Sequence, residues 1–282
     1  MMIKVFAVLS ALAAVFLCVV TEAFQSLMWL WMLPVGFLGS FLIQMLLLFL
    51  FLVVITAPVN PNKQREEDSK FFRGVVHLVI DAAFTLARIR VETEGLEKTP
   101  KDGRFLLVSN HQHDSDPAVI MHYFKKSQLA FVGKRETKEF FLIGKLMSKI
   151  LCQFINREND REALKTILRC ISLLKEDKVS VGIFPEGYIH PDRKLYPFRP
   201  GVFKIAQKAN VPIVVCTLQD TKYIFSNFFK GKPTNVKLHL LDVIPAEALQ
   251  GRTTVDIAEE IYAMMAKDLG PENVHQETED NT

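Results

Sequence analysis

The chain has 282 residues, 49% hydrophobic and 23% charged, with 34 basic and 31 acidic side chains and a formal net charge of +3. That length suffices for a membrane anchor followed by one domain with a full core, and so small a charge excess argues against a nucleic acid partner. Four cysteines, Cys18, Cys152, Cys170 and Cys216, stand far apart with no Cys-x-x-Cys pair. They point away from a disulfide framework or a zinc site and read as buried, reduced thiols in a protein facing the cytosol.

The first apolar run, Ile3 to Val20, is borderline for a membrane span and short enough for a signal peptide, yet no good cleavage site precedes the next one. No charged side chain occurs between Glu22 and Lys63, and Val35 to Val54 is long and apolar enough to cross a hydrocarbon core as a helix. We read residues 1–57 as a two-helix transmembrane hairpin, with Trp29, Trp31 and Pro34 at its interfacial turn. Lys4 on one flank and Lys63, Arg65, Lys70 and Arg73 on the other place both ends, and the domain that follows, on the cytoplasmic side.

Residues 58–69 are polar and proline-bearing, a linker out of the membrane. Over residues 70–90 the apolar positions Phe71, Phe72, Val75, Val76, Val79, Ala82, Ala83 and Leu86 recur at helical spacing. That predicts an amphipathic helix lying on the bilayer or, more commonly for such a stripe, packing on the domain.

Residues 91–270 then alternate. Strands are expected at Phe105–Val108, Leu129–Val132, Val179–Phe184, Val211–Leu218 and Val236–Val243, and a short one at Phe154–Ile155. Helices are expected at Pro117–Tyr123, Lys138–Leu151, Asp160–Lys175 with Asp160 as its cap, Val202–Lys208 and Thr254–Ala266. This pattern predicts an α/β domain with a mixed, largely parallel sheet flanked by helices. Residues 271–282 form a tail, with Gln276–Thr282 disordered by composition.

His111 follows the strand Phe105–Val108 and stands five residues before Asp116, which precedes Pro117 at a helix start. In an exposed turn the carboxylate can hold one ring nitrogen while the other takes a proton from a hydroxyl, although Asp116 before Pro117 is also an ordinary helix cap. Three further segments follow in order. Phe154-Ile155-Asn156-Arg157 ends in a guanidinium ahead of a helix, Phe184-Pro185-Glu186-Gly187 closes another strand with a glycine, and Val211-Pro212-Ile213 opens the next.

Taken together, Asn110-His111-x4-Asp116, Phe154-Ile155-Asn156-Arg157, Phe184-Pro185-Glu186-Gly187 and Val211-Pro212-Ile213 resemble the four motif blocks of the membrane-bound glycerolipid acyltransferases of the lysophosphatidate (1-acylglycerol-3-phosphate) type. The resemblance implies transfer of a fatty acyl group from a thioester, on coenzyme A or acyl carrier protein, to a lysophospholipid hydroxyl, giving phosphatidate. It implies His111 as general base, Asp116 as its orienting carboxylate, and substrate contacts from Asn110, Lys134, Arg157, Glu186 and Gly187. No bound cofactor and no metal is implied, and the partners are membrane lipids, the lysophospholipid acceptor and the acyl thioester.

Two departures stand out. Relatives continue the third block with a small hydroxyl residue and an arginine, where this chain has Tyr188 and Ile189, and the fourth block has Val215 in place of a second proline. Arg193 or Arg199 then replaces the missing cation from the same loop, or the acceptor is another lysolipid or alcohol. A lipid esterase or thioesterase, which would lack a Gly-x-Ser-x-Gly elbow here, and a catalytically dead lipid-binding scaffold are the rival readings.

Overall fold

The computed structural model describes residues 2–276. Two helices open it, α1 (Met2–Val20) and α2 (Trp29–Thr56), each long and apolar enough to cross a membrane, with most of their side chains exposed. They pack as a hairpin through small residues: a Cβ on Gly36 would stand 3.3 Å from the Ala14 backbone. Inside the pair the Gln44 amide donates to Ser10 Oγ at 2.8 Å, the kind of polar link that holds helices together where no water competes. Trp29 and Trp31 belong to the first turn of α2 and not to the connection, which runs from Thr21 to Met28 around a 3-10 turn.

Helix α3 (Lys70–Leu86) is capped by Ser69, whose hydroxyl accepts from the Phe72 N–H. Phe72, Val75, Ile80 and Phe84 sit in the core, so this amphipathic segment packs on the domain. Arg73, expected as a surface charge at the membrane flank, is instead buried. It pairs with Asp68 at 2.7 Å and donates to the carbonyls of Leu129 and Ile150, because a guanidinium has donors enough to tie three segments at once.

Beyond α3 come β1 (Ile89–Glu94), β2 (Leu106–Ser109), α4 (Asp116–Tyr123), β3 (Leu129–Lys134), α5 (Ile143–Lys149), β4 (Gln153–Ile155) and α6 (Asp160–Lys175). Then follow β5 (Ser180–Ile183), α7 (Lys204–Ala209), β6 (Ile213–Gln219), α8 (Ile224–Phe229), β7 (Thr234–Ile244) and α9 (Thr254–Leu269). The strands form one seven-stranded sheet in the order β1-β7-β6-β2-β5-β3-β4, parallel throughout except where β6 meets β7. This is the mixed, largely parallel sheet expected. One face carries α3, α4, α5 and α8 over a core around Phe105, Leu107 and Phe131, and the other carries α6, α7 and α9 over Leu106, Val108 and Ile213.

Several local expectations are corrected. The helix expected at Lys138–Leu151 is a 3-10 turn at Arg135–Glu139 followed by α5, and the turn packs so closely on α5 that a Cβ on Gly144 would stand 2.1 Å from the Lys138 carbonyl oxygen. Asn159, not Asp160, caps α6, its side chain accepting from the Glu162 N–H. Strand β1 and helix α8 had no counterpart in the sequence reading, and β1 ends the segment taken as residues 70–90. Part of the tail at 271–282 is built into the domain: Leu195 donates to the Asn273 carbonyl at 2.8 Å, and the His275 N–H donates back to Leu195 at 3.0 Å. The expectation for the end of the tail falls at 277–282, outside the described residues.

Candidate active site

In parallel α/β sheets functional loops gather beyond the carboxyl ends of the strands, and the sequence-predicted residues do so here. His111 follows β2, Glu186 and Gly187 follow β5, Lys134 ends β3, and Arg157 follows β4, four strands that are neighbours in the sheet.

The turn from β2 into α4 is organised by one carboxylate. Asp116 is fully buried, and its Oδ2 accepts the Gln112 N–H at 2.6 Å, the His113 N–H at 2.8 Å and the His111 ring through Nδ1 at 2.8 Å. These bonds curl the chain so that the imidazole lies flat against Phe184, ring centroids 4.0 Å apart and planes within 9°. Nδ1 is thereby committed, while Nε2 has no hydrogen-bond partner among the described residues. A histidine fixed this way can take a proton at Nε2, and a carboxylate on Nδ1 can stabilise the resulting imidazolium.

Glu186 is also buried. Its two oxygens accept backbone N–H groups, Oε1 from His111 at 2.8 Å and Oε2 from Tyr196 at 3.1 Å. Burial pushes its carboxyl pKa up to about 8, against the two hydrogen bonds that oppose the shift. Asn110, expected at the substrate, ties the turn to β6: its amide donates to the Leu218 carbonyl at 2.9 Å and accepts the Leu218 N–H at 2.7 Å. Both sets of bonds have one cause, since a main-chain turn buried beside β6 must satisfy its polar groups.

Arg193 is likewise used internally, donating to the Gln112 carbonyl at 2.9 Å. Arg199 is different. Gly187 has a φ of +92°, and a Cβ there would stand 2.8 Å from Arg199 Nε, so the absent side chain is what lets this guanidinium lie over the loop. Arg157 is close by. Partial desolvation of its guanidinium, followed by the Arg199 charge, lowers its pKa, with Glu136 acting in the opposite sense. Neither arginine side chain has a hydrogen bond or ion pair among the described residues, and Lys134 is exposed on the same edge. Gln112, Phe184 and Tyr196 belong to the site's wiring but were not assigned roles from sequence. Only Phe184, inside a quoted block, carried a signal.

His113 bonds Ser115 Oγ through Nδ1 at 2.8 Å and leans against Phe225, consistent with a turn residue. Cys152, Cys170 and Cys216 are buried, and burial pushes the thiols of Cys152 and Cys170 up to about 11 and about 12.

A sequence profile of the Acyltransferase family matches residues 90–219, the stretch that contains every residue of this site. The chain is 28% identical over 196 residues to a 1-acyl-sn-glycerol-3-phosphate acyltransferase from Haemophilus influenzae, covering 69% of this chain and 80% of that one. It is 27% identical over 211 residues to the alpha 1-acyl-sn-glycerol-3-phosphate acyltransferase of Mus musculus, covering 74% and 71%. In relatives from Caenorhabditis elegans and Mycoplasma pneumoniae the match spans 58% and 54% of their length. The crystal structure of the 1-acyl-sn-glycerophosphate (LPA) acyltransferase PlsC from Thermotoga maritima has the same fold, with a TM-score of 0.58 and 24% identity over 70% of this chain and 79% of that one. Residues 90–219 thus match the Acyltransferase family, and the chain is similar in sequence to 1-acyl-sn-glycerol-3-phosphate acyltransferases.

Proposed function

We propose that the protein transfers a fatty acyl group from an acyl thioester to the free hydroxyl of 1-acylglycerol-3-phosphate, giving phosphatidate, at the cytoplasmic surface of a membrane. The observation that carries this reading is the dyad: a buried carboxylate on Nδ1 of a histidine whose Nε2 is open. His111 takes the hydroxyl proton at Nε2 as the acceptor oxygen attacks the thioester carbonyl. The tetrahedral intermediate collapses with cleavage of the carbon–sulfur bond, and the departing thiolate receives the proton back from His111. No acyl-enzyme forms. Asn110 and Glu186 hold the turn, and Arg157, Arg199 and Lys134 supply the positive rim for the acceptor phosphate. The name of the relatives, which specifies this acceptor, supports the assignment.

A second acceptor is favoured by one observation, Ile189 in place of the third-block arginine. The test is acyl transfer by membranes containing wild type or His111→Ala, from coenzyme A and acyl carrier protein thioesters to a panel of lysolipids. Acylation of lysophosphatidate that the variant loses supports the proposal. Transfer only to another lysolipid overturns the acceptor, and thioester hydrolysis without an acceptor overturns transfer itself.

A further inference from the structure

Away from the dyad, a cavity of about 630 Å³ rich in basic side chains lies between the 3-10 turn after β3, the end of β4 and the first turns of α6. Arg135, Lys138, Lys145 and Lys165 line it, against the carboxylates Glu139 and Glu162. Glu162 is taken, pairing with Arg135 at 3.7 Å and accepting from the Asn156 amide at 2.9 Å. No carboxylate stands within ion-pair distance of Lys138, Lys145 or Lys165 among the described residues. Lys138 lies 5.8 Å from the centre of the Phe154 ring and Lys145 the same distance from that of Phe141, which holds both ammonium groups at the cavity wall.

Two further features fix what such a cavity takes. Phe140 and Phe141 form one rim and are 53% and 62% exposed, with Ile143 beside them at 54%, an apolar cluster that water alone does not favour. Pro61 and Asn62 form another part of the lining, and Pro61 follows the end of α2 by five residues, at most about 18 Å of chain. The cavity therefore stands where the chain leaves the membrane, with cations beside exposed aromatics, the arrangement that fits an amphiphile with an anionic head.

We propose that this cavity is a binding site for an anionic phospholipid, separate from the dyad, with the headgroup phosphate among Lys138, Lys145 and Lys165 and the acyl chains running past Phe140 and Phe141 into the bilayer. The proposal does not rest on the acyl-transfer reading. Its chemistry, a phosphate ester beside an apolar chain, is shared with an acyl-coenzyme A thioester, and the place of the cavity beside Pro61 and Asn62, where the chain leaves α2, favours a lipid already held in the bilayer.

The test uses the full chain in nanodiscs of phosphatidylcholine containing phosphatidylglycerol, with native mass spectrometry of the anionic lipid retained after delipidation. At about fivefold per basic residue near a membrane surface, the triple variant K138Q/K145Q/K165Q should retain about a hundredfold less phosphatidylglycerol, with phosphatidylcholine retention and the KM for acyl-coenzyme A unchanged. Phe140→Ser with Phe141→Ser should weaken retention without any change of charge. Unchanged retention in the triple variant with a raised donor KM would overturn the proposal and assign the cavity to the thioester nucleotide. Unchanged retention and unchanged KM would overturn it in favour of ordinary solvated lysines. Near-equal melting temperatures show that the variants remain folded.

Discussion

Replacing Asp116 with asparagine isolates the contribution of one negative charge to proton transfer. Asparagine is nearly the same size, and with its oxygen in the place of Oδ2 it can still accept from Gln112, His113 and the His111 ring. Its amino group then falls where Oδ1 now has no hydrogen-bond partner, at a cost of about 1–3 kcal/mol in stability for the unpaired donors. What disappears is the charge that stabilises the imidazolium. With charge centres about 4 Å apart and an effective dielectric of about 20, that stabilisation is about 4 kcal/mol. Since about 1.4 kcal/mol is one decade of rate, kcat should fall about a thousandfold. The carboxylate meets only the base and its own turn, so the KM values for thioester and acceptor should stay within about threefold. The assay is initial-rate thiol release with saturating lysophosphatidate, run beside thermal unfolding of both proteins. A fall in kcat of less than about tenfold in a folded variant would refute the role assigned to Asp116.

Three further substitutions separate holding residues from binding residues. Asn110→Ala removes both bonds to Leu218 and leaves two buried backbone groups unpaired, so it should lower stability by roughly 2–4 kcal/mol in chemical denaturation while the acceptor KM holds; a large rise in that KM with stability unchanged would return Asn110 to the substrate. Gly187→Ala places a Cβ 2.8 Å from Arg199 Nε at a φ of +92°, and should raise the acceptor KM more than the donor KM by displacing that guanidinium; equal effects on both would count against Arg199 as part of the phosphate rim. Glu186 has a folded-state pKa raised to about 8 from an ordinary 4.5, so the folded protein binds the extra proton between those values. Its contribution is fully present below about pH 4.5 and is lost as pH rises through about 8. The melting temperature should therefore decline across that interval, and Glu186→Gln should flatten the decline; an unchanged slope in the variant would assign it to other groups.

The dyad was legible in sequence because its logic is local. His111 and Asp116 are five residues apart, and strand, turn and proline-led helix start all lie within the same short segment. The sheet was legible for a similar reason, since β2, β5 and β6 are short apolar runs buried on both faces. Strand β1 escaped because Arg90, Glu92 and Glu94 interrupt it at an edge of the sheet, where only Ile89 and Val91 are half-buried. Helix α8 is six residues long, too short for a periodicity to declare itself. What sequence could not show is which partner a polar residue chooses. Glu186 meets a backbone group 75 positions away, Asn110 one 108 positions away and Arg193 one 81 positions away, and no local pattern encodes such distances.

The same distinction identifies which cations are free for an anion. Arg73 is spent on two carbonyls and on Asp68, and Arg193 gives one nitrogen to the Gln112 carbonyl, which ties it to the turn. Arg157 and Arg199 hold no such partners among the described residues and raise each other's electrostatic cost at the carboxyl edge of the sheet beside the dyad. Two like charges kept together without a hydrogen-bonded counterion among the described residues favour an incoming phosphate, because binding offsets a repulsion as well as adding attraction. Arg199 stands twelve residues beyond Gly187 and reaches back over it through the space a side chain would fill. The loop thus carries a cation beside Gly187 although the third motif block lacks its arginine, which supports the proposal that the acceptor keeps its phosphate despite Ile189.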